Sequence, residues 1–439
     1  MTPRSASVLR WLMIGAVLAA AGGLLGTRLP RGVNDVELGR VRVYPAWFAE
    51  RGFTFMFAGE RGWTGADAAA ARSLARAGQR VVGIDSRGLL KAAEQQSGCL
   101  YLPGVLEGFS RRVQRQANSG RYLEPSLVGH GTGGALVYLA LIQAPALAFS
   151  GSVIVAASSS LPFAGDFCDL QPVRRGAGRY LPNFMALGPA APPHIFVAGK
   201  ADESALALQY GAALKSLAER APANPLADLP LVELPAAGAT DLPFAILYSG
   251  DGGWRDLDRS LAYLLVDKGL SVVGVDVLRY YWKTKPPDVA AADLVRIIRY
   301  YQARWRRARV VLIGFSFGAD VLPFLVNRLP AEVRSQLQLV SLLSPERHTA
   351  FAVDPRSWMG ANTREGALIG PELQLLPRAL VQCVYGAKEA AASLCTDPSA
   401  RGTQVVVKQG SHHFDGNYSL LAEQIMSAVR GAPGQYSGH

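Results

Sequence analysis

Four short blocks recur along this 439-residue chain, in the same order and at nearly the same spacing. Gly59-x-x-Gly62-Trp63 returns as Gly250-x-x-Gly253-Trp254, and Val82-Gly83-Ile84-Asp85 as Val273-Gly274-Val275-Asp276, both 191 residues on. Leu127-Val128-Gly129-His130-Gly131-Thr132-Gly133 returns as Leu312-Ile313-Gly314-Phe315-Ser316-Phe317-Gly318 after 185 residues. Gly199-Lys200-Ala201-Asp202 returns as Gly386-Ala387-Lys388-Glu389 after 187. Convergence of two ordinary folds would yield one such match, hardly all four, so the chain reads as a duplicated domain. Each copy alternates strands and helices: a strand over Phe53 to Ala58, an alanine-rich helix over Ala66 to Ala77, strands over Arg80 to Asp85 and Ile195 to Ala198. That is the βαβ pattern of a mostly parallel sheet with helices on both faces. Pro222, Pro225, Pro230 and Pro235 punctuate the passage between copies, which sets expected domains at 28–240 and 241–439.

Residues 1–27 read as a targeting segment. Arg4 and Arg10 precede an uncharged stretch from Trp11 to Thr27, with Ala19-Ala20-Ala21 as a cleavage candidate. The stretch suits a cleaved signal peptide or an uncleaved anchor, and either exports the remainder. Four cysteines fit export, and intradomain pairing of Cys99 with Cys168 and of Cys383 with Cys395 is the simplest of three connectivities. A net charge of +11 favours an anionic partner such as a membrane surface, and no nucleic-acid motif accompanies it. Arg304, Arg306, Arg307 and Arg309, with Arg111, Arg112 and Arg115 in the first copy, are the candidate basic clusters or else plain solvated helix faces.

The chemistry lies in the second copy. Val310 to Ile313 is an apolar, β-branched run ending in Gly314-x-Ser316-x-Gly318, and a helix-like segment follows from Ala319. A strand, a sharp turn and a helix make a nucleophile elbow, which holds a serine clear of its neighbours beside a base. The partners should follow in the order Ser, acid, His. Glu389, three residues past Gly386, is the preferred acid and Asp397 its competitor. His412 in Gly410-Ser411-His412-His413-Phe414 is the preferred base and His413 the alternative; no metal-site spacing accompanies the pair, and no cofactor is called for. Oxyanion donors are expected from the N–H groups of Phe317 and of Asp251, in the glycine-rich loop Ser249 to Gly253. The first copy has Gly131 at the serine position, and its His130 and His194 suit local hydrogen bonding, so it reads as a non-catalytic scaffold or docking domain.

Four stretches of the second copy resemble the AcvB/VirJ family of bacterial virulence proteins. They are Tyr248-Ser249-Gly250-Asp251-Gly252-Gly253-Trp254, Val275-Asp276-x-Leu278-Arg279-Tyr280-Tyr281-Trp282, Gly314 to Asp320, and Gly410-Ser411-His412-His413-Phe414-Asp415-Gly416. The resemblance implies two tandem α/β-hydrolase-like domains in the periplasm, on or near the inner membrane. It implies cleavage of the anionic membrane lipid lysyl-phosphatidylglycerol to lysine and phosphatidylglycerol, and a link to acid tolerance, virulence and type IV secretion substrates. A periplasmic binding factor with a vestigial elbow, and a general esterase, are the competing readings. A lysyl ester carries two ammonium groups, so carboxylates should stand near the nucleophile. Asp320, one helical turn beyond Ser316, and Asp251 are the candidates, while Asp320 also suits a helix N-terminus on electrostatic grounds alone.

Overall fold

The structure is a computed structural model, and it describes residues 29–144, 148–168, 173–176, 179–182, 187, 192–199, 202–219, 224–238, 241–353 and 366–431. The expected targeting segment lies outside the described residues. The chain divides into two compact units, Met1–Pro222 and Ala223–His439.

The first unit is built on a seven-stranded sheet. Its strands are β1 (Arg31–Asp35), β2 (Gly39–Tyr44), β3 (Gly52–Phe57), β4 (Gln79–Ile84), β5 (Pro125–His130), β6 (Gly151–Val155) and β7 (His194–Val197). They lie in the order β1-β2-β4-β3-β5-β6-β7. β1 and β2 form an antiparallel hairpin at one edge, and every pairing from β4 onward is parallel. A parallel sheet needs cover on both faces. The alternation along β3 supplies it: Phe53, Phe55 and Phe57 join one apolar cluster, and Met56 joins another with Val81, Val128 and Val153.

The second unit repeats this plan with β8 (Leu231–Leu234), β9 (Phe244–Tyr248), β10 (Val272–Val275), β11 (Val310–Phe315), β12 (Leu337–Leu343), β13 (Val381–Gly386) and β14 (Gln404–Lys408). The order is β8-β10-β9-β11-β12-β13-β14, with β8 alone antiparallel. The boundary expected at 240/241 therefore moves to 222/223. The proline-rich stretch is not a linker, because β8 pairs with β10 (Val232 opposite Gly274) and Arg296 binds Asp228 at 2.8 Å. The two sheets are also not identical in order. β8 corresponds to β2 and β13 to β7, so among the described residues the second sheet has no counterpart of β1 and has β14 beyond the shared set. Among the described residues, no strand of the first unit pairs with the outer side of β7.

The repeated blocks have a common physical cause. A side chain on Gly83 would run into the ring of Trp63, and one on Gly274 into the ring of Trp254. In both copies the ring of the tryptophan in the loop after β3 or β9 occupies the space beside the glycine of the neighbouring strand, so the Gly-Trp and Val-Gly blocks are two halves of one contact. Asp85 and Asp276, which end those blocks, cap the helices that follow by accepting backbone N–H bonds.

Both expected disulfides are formed, Cys99–Cys168 and Cys383–Cys395, with Cα separations of 5.0 and 5.5 Å. Paired cysteines of this kind persist in oxidising compartments. Among the described residues no helix is long and apolar enough to cross a membrane. The bridges close loops of 69 and 12 residues. Loop entropy therefore assigns about 4 kcal/mol to the first and about 3 kcal/mol to the second. Replacing Cys99 and Cys168 by alanine should destabilise the first unit more than the matching pair of changes destabilises the second, as read from chemical denaturation of each double variant.

Candidate active site

β11 is buried along its whole length and delivers Ser316 at its C-terminal end, where α6 (Phe317–Asn327) begins. The chain has to reverse within one residue there. A side chain on Gly314 would meet the backbone of Gly318, and one on Gly318 would meet the carbonyl oxygen of Tyr248. The two glycines let helix and strands close on each other, and Ser316 takes up the bend at φ 51° and ψ −122°. A serine in this region costs roughly 1–3 kcal/mol, and such strain concentrates at functional sites.

The hydroxyl projects toward His412. Ser316 Oγ stands 2.9 Å from His412 Nε2, and His412 Nδ1 stands 2.9 Å from Glu389 Oε2. His412 follows β14, while Glu389 lies in a short turn (Ala387–Glu389) directly after β13. The second carboxylate oxygen of Glu389 accepts from the Gly386 N–H at 3.0 Å and from the Ser344 hydroxyl at 2.6 Å. Burial alone would push the Glu389 carboxyl up. The bonds from His412, Ser344 and Gly386 outweigh it and hold the carboxyl below its ordinary range. An ionised Glu389 orients the ring with its Nδ1–H toward the acid and its Nε2 free to accept the serine proton. An acid, a base and an oriented serine in line can perform nucleophilic acyl transfer.

The two alternatives lie elsewhere. Asp397 caps its own turn, accepting from the Ser399 N–H at 2.9 Å. His413 is exposed, with its ring edge on Phe315 at a centroid distance of 5.4 Å. Among the described residues, no group of three His, Cys, Asp or Glu side chains is arranged to hold a metal ion.

Phe317 is the first residue of α6, so its N–H has no partner within the helix. The loop after β9 lies against the elbow: a Cβ on Gly250 would sit 3.6 Å from the Cβ of Ser316. Asp251 follows Gly250 in that loop. Asp320 is 5% exposed and accepts from the Glu346 N–H at 2.8 Å. Burial, reinforced by the nearby Glu346 and Asp251 carboxylates, pushes the Asp320 carboxyl well above its ordinary range. Three acidic side chains thus surround the first turn of α6.

The basic cluster before β11 sits elsewhere. β11 runs six residues from Val310 to Phe315, so Arg304 to Arg309 lie about 20 Å from Ser316, at the opposite end of the sheet. Arg304 binds Glu233 at 3.0 Å, and Arg307 donates to the Leu242 carbonyl at 3.2 Å. In the first unit Arg111 pairs with Glu107 and Arg112 with Asp35.

Residues 242–432 match the family model described as Bacterial virulence protein (VirJ). The second unit belongs to the VirJ family. No curated protein sequence matches the chain. Solved structures similar to it include MenH from S. aureus, at 10% identity and a TM-score of 0.35, covering 46% of this chain and 97% of that one. Est1E from Butyrivibrio proteoclasticus is 13% identical, with a TM-score of 0.33 and coverage of 46% and 93%. An esterase from Pyrococcus furiosus is 12% identical, with a TM-score of 0.34 and coverage of 48% and 96%.

The first unit keeps the scaffold of the VirJ unit without its reactive groups. Gly131 adopts φ 53° and ψ −124°, the same bend as Ser316. The Glu60 carboxylate fills the space that a side chain at 131 would take. Ser344 has a counterpart in Ala156; each follows the strand next to the elbow strand, β12 and β6, with positive φ, 50° and 43°, and the alanine has no hydroxyl to give. His130 Nε2 stands 2.9 Å from Asp67 Oδ1, and His194 Nδ1 3.0 Å from the Pro192 carbonyl.

Sequence reasoning missed Ser344, which also donates to the His412 carbonyl at 3.1 Å. No motif marks it, since its role arises only when β12 and β13 pair. Because Glu389 has a lowered pKa, the stability it contributes is present above the ordinary carboxyl range and is lost as pH falls through the folded value. Ser344→Ala should move that loss to higher pH, as read by acid denaturation. Turnover of an ester by the same variant should fall about tenfold, the worth of one hydrogen bond to a charged group.

Proposed function

We propose that the VirJ unit is a serine hydrolase cleaving the aminoacyl ester of lysyl-phosphatidylglycerol, at the periplasmic face of the inner membrane. The observation that carries this reading is His412, held 2.9 Å from both Ser316 Oγ and Glu389 Oε2. His412 takes the Ser316 proton as Oγ attacks the ester carbonyl, and Glu389 stabilises the imidazolium that forms. The N–H groups of Phe317 and Asp251 receive the developing oxyanion. Collapse of the tetrahedral species breaks the ester C–O bond, His412 gives its proton to the leaving glycerol oxygen, and phosphatidylglycerol departs. A water deprotonated by His412 then attacks the lysyl-serine ester and frees lysine.

The preference for a lysyl ester is supported by the acidic surroundings of Ser316. Asp251, Asp320 and Glu346 offer carboxylates near the first turn of α6 with no cation paired to Asp320 or Glu346 among the described residues. Burial and the neighbouring acids favour the neutral form of Asp320, and a substrate ammonium beside it would favour the carboxylate, so a dicationic aminoacyl group suits these surroundings. The exported location is supported by the two disulfides. The first unit is read as a non-catalytic companion domain.

Ser316→Ala should abolish hydrolysis of lysyl-phosphatidylglycerol, a loss of several orders of magnitude, in a protein with unchanged circular dichroism. Thin-layer chromatography of lipids from cells carrying that variant should show the aminoacyl lipid accumulating. Retained turnover would sink the hydrolase reading and favour a binding factor.

Asp320→Asn should lower kcat/KM for the lysyl ester far more than for a neutral ester of similar size; equal losses would place lysine recognition elsewhere. The same change should raise the melting temperature at neutral pH. Folding raises the pKa of Asp320, so stability is lost as pH climbs above the unfolded carboxyl range, and the amide removes that penalty.

A further inference from the structure

The acid of the candidate triad lies inside a disulfide loop. Glu389 stands midway along the span of 12 residues that the Cys383–Cys395 bridge closes. Cys383 is fully buried within β13, opposite Leu342 of β12 and Val405 of β14, and Cys395 is 4% exposed. One end of the loop is therefore an interior strand of the sheet, and the bridge fastens the other end to it.

From Glu389 to Thr396 the chain forms one hydrogen-bonded body. The Glu389 carbonyl accepts from the Ala392 N–H at 3.0 Å and from the Ser393 N–H at 3.1 Å. The Ala390 carbonyl accepts from the Thr396 hydroxyl at 2.8 Å, and the Ser393 hydroxyl oxygen from the Cys395 N–H at 3.2 Å. The backbone of the acid is thus joined by short steps to a bridged cysteine. Two backbone bonds hold this turn from outside, both at 3.0 Å: Leu394 N–H to the Pro345 carbonyl, just past Ser344, and Lys388 N–H to the Gly410 carbonyl. The second fastens the acid turn to the His412 loop rather than to the sheet. Single hydrogen bonds at a surface turn open and close readily. The bridge does not.

Comparison of the two units points the same way. β7 corresponds to β13, and Phe196 holds the place of Cys383. The first unit's own bridge, Cys99–Cys168, lies outside that strand. A bridge at the acid turn thus accompanies the serine, and the unit with a glycine at the bend has none there.

We infer that the Cys383–Cys395 bridge is a positioning element for hydrolysis, holding the Glu389 turn against β13 so that the carboxylate meets His412 Nδ1. The inference rests on the hydrolase reading above. A chain without this bridge folds but is a poor catalyst. Cys395→Ala opens the bridge and leaves the Cys383 side chain at its place in the sheet. On the full chain with a soluble activated lysyl ester, Cys395→Ala should lower kcat roughly 10- to 100-fold with KM unchanged, since Glu389 orients the base and does not hold the substrate. The deciding measurement is the same change made in Glu389→Ala protein. With no acid left to position, opening the bridge should then alter kcat by less than about twofold. A bridge that only stabilised the fold would cost the same in both backgrounds.

A Cys395→Ala protein with unchanged circular dichroism and kcat near that of the parent overturns the inference. So does a loss that falls on KM, or an equal loss in the Glu389→Ala background. If Cys395→Ala does not fold, Cys395→Ser serves instead, with the same expected and overturning results. Ser316→Ala separates the two claims. Turnover that needs Ser316 but ignores the bridge defeats this inference alone, whereas turnover surviving Ser316→Ala defeats the hydrolase reading and this inference with it.

Discussion

The structure of the VirJ unit depends on a single reversal of the chain, where β11 gives way to α6. The helix must fold back over the sheet at once, and the only space for it lies between Gly314, Gly318 and the carbonyl of Tyr248. That crowding drives Ser316 into a left-handed backbone and thrusts its hydroxyl above the sheet. Everything around it is set from that point. β13 and β14 lie on one side of β11 and bring Glu389 and His412; β9 lies on the other and brings the glycine loop. The strain at Ser316 is small beside the packing that enforces it, since β11 and most of α6 are buried.

The first unit shows what the same scaffold is without that chemistry. Its bend is kept to within a few degrees, but a glycine occupies it at no steric cost. The differences run together: a glycine for the serine, an alanine for Ser344, a glutamate lying over the bend and, among the described residues, no strand beyond β7 to carry a histidine. Tryptophan over glycine and aspartate at the following helix cap remain in both. The two units thus share the contacts that close the sheet and differ in the groups around the bend.

Much of the architecture was legible because it is written in local patterns. The offsets of 191, 185 and 187 stand for contacts that any copy must make, such as Trp254 on Gly274. Ser316, Glu389 and His412 were named as a set from chain order and from their glycine-rich surroundings, and the fold brings these three together. Chain order preferred Glu389 with Asp397 as competitor; in the fold the turn after β13 points Glu389 back at the His412 ring while Asp397 caps its own backbone. The domain boundary was misread because prolines suggest a linker, and only the antiparallel pairing of β8 with β10 reveals that they flank a strand. Ser344 left no trace, since it meets Glu389 and His412 only through neighbours distant in sequence. The arginines before β11 were read as a basic cluster for an anionic surface or as a solvated helix face, and the length of the strand sets them at the far end of the sheet from Ser316.

One further consequence follows from β14. It is the last strand of its sheet, and Val405 and Val407 along it are 44% and 53% exposed. An edge held by one neighbour opens more readily than the strands inside it. His412 hangs from the end of this strand, whereas Ser316 and Glu389 hang from strands paired on both sides. The proposed base thus hangs from an edge strand and the nucleophile from an interior one. Heat should then uncouple the two by fraying at the edge, so that inactivation sets in reversibly while the central sheet is still intact.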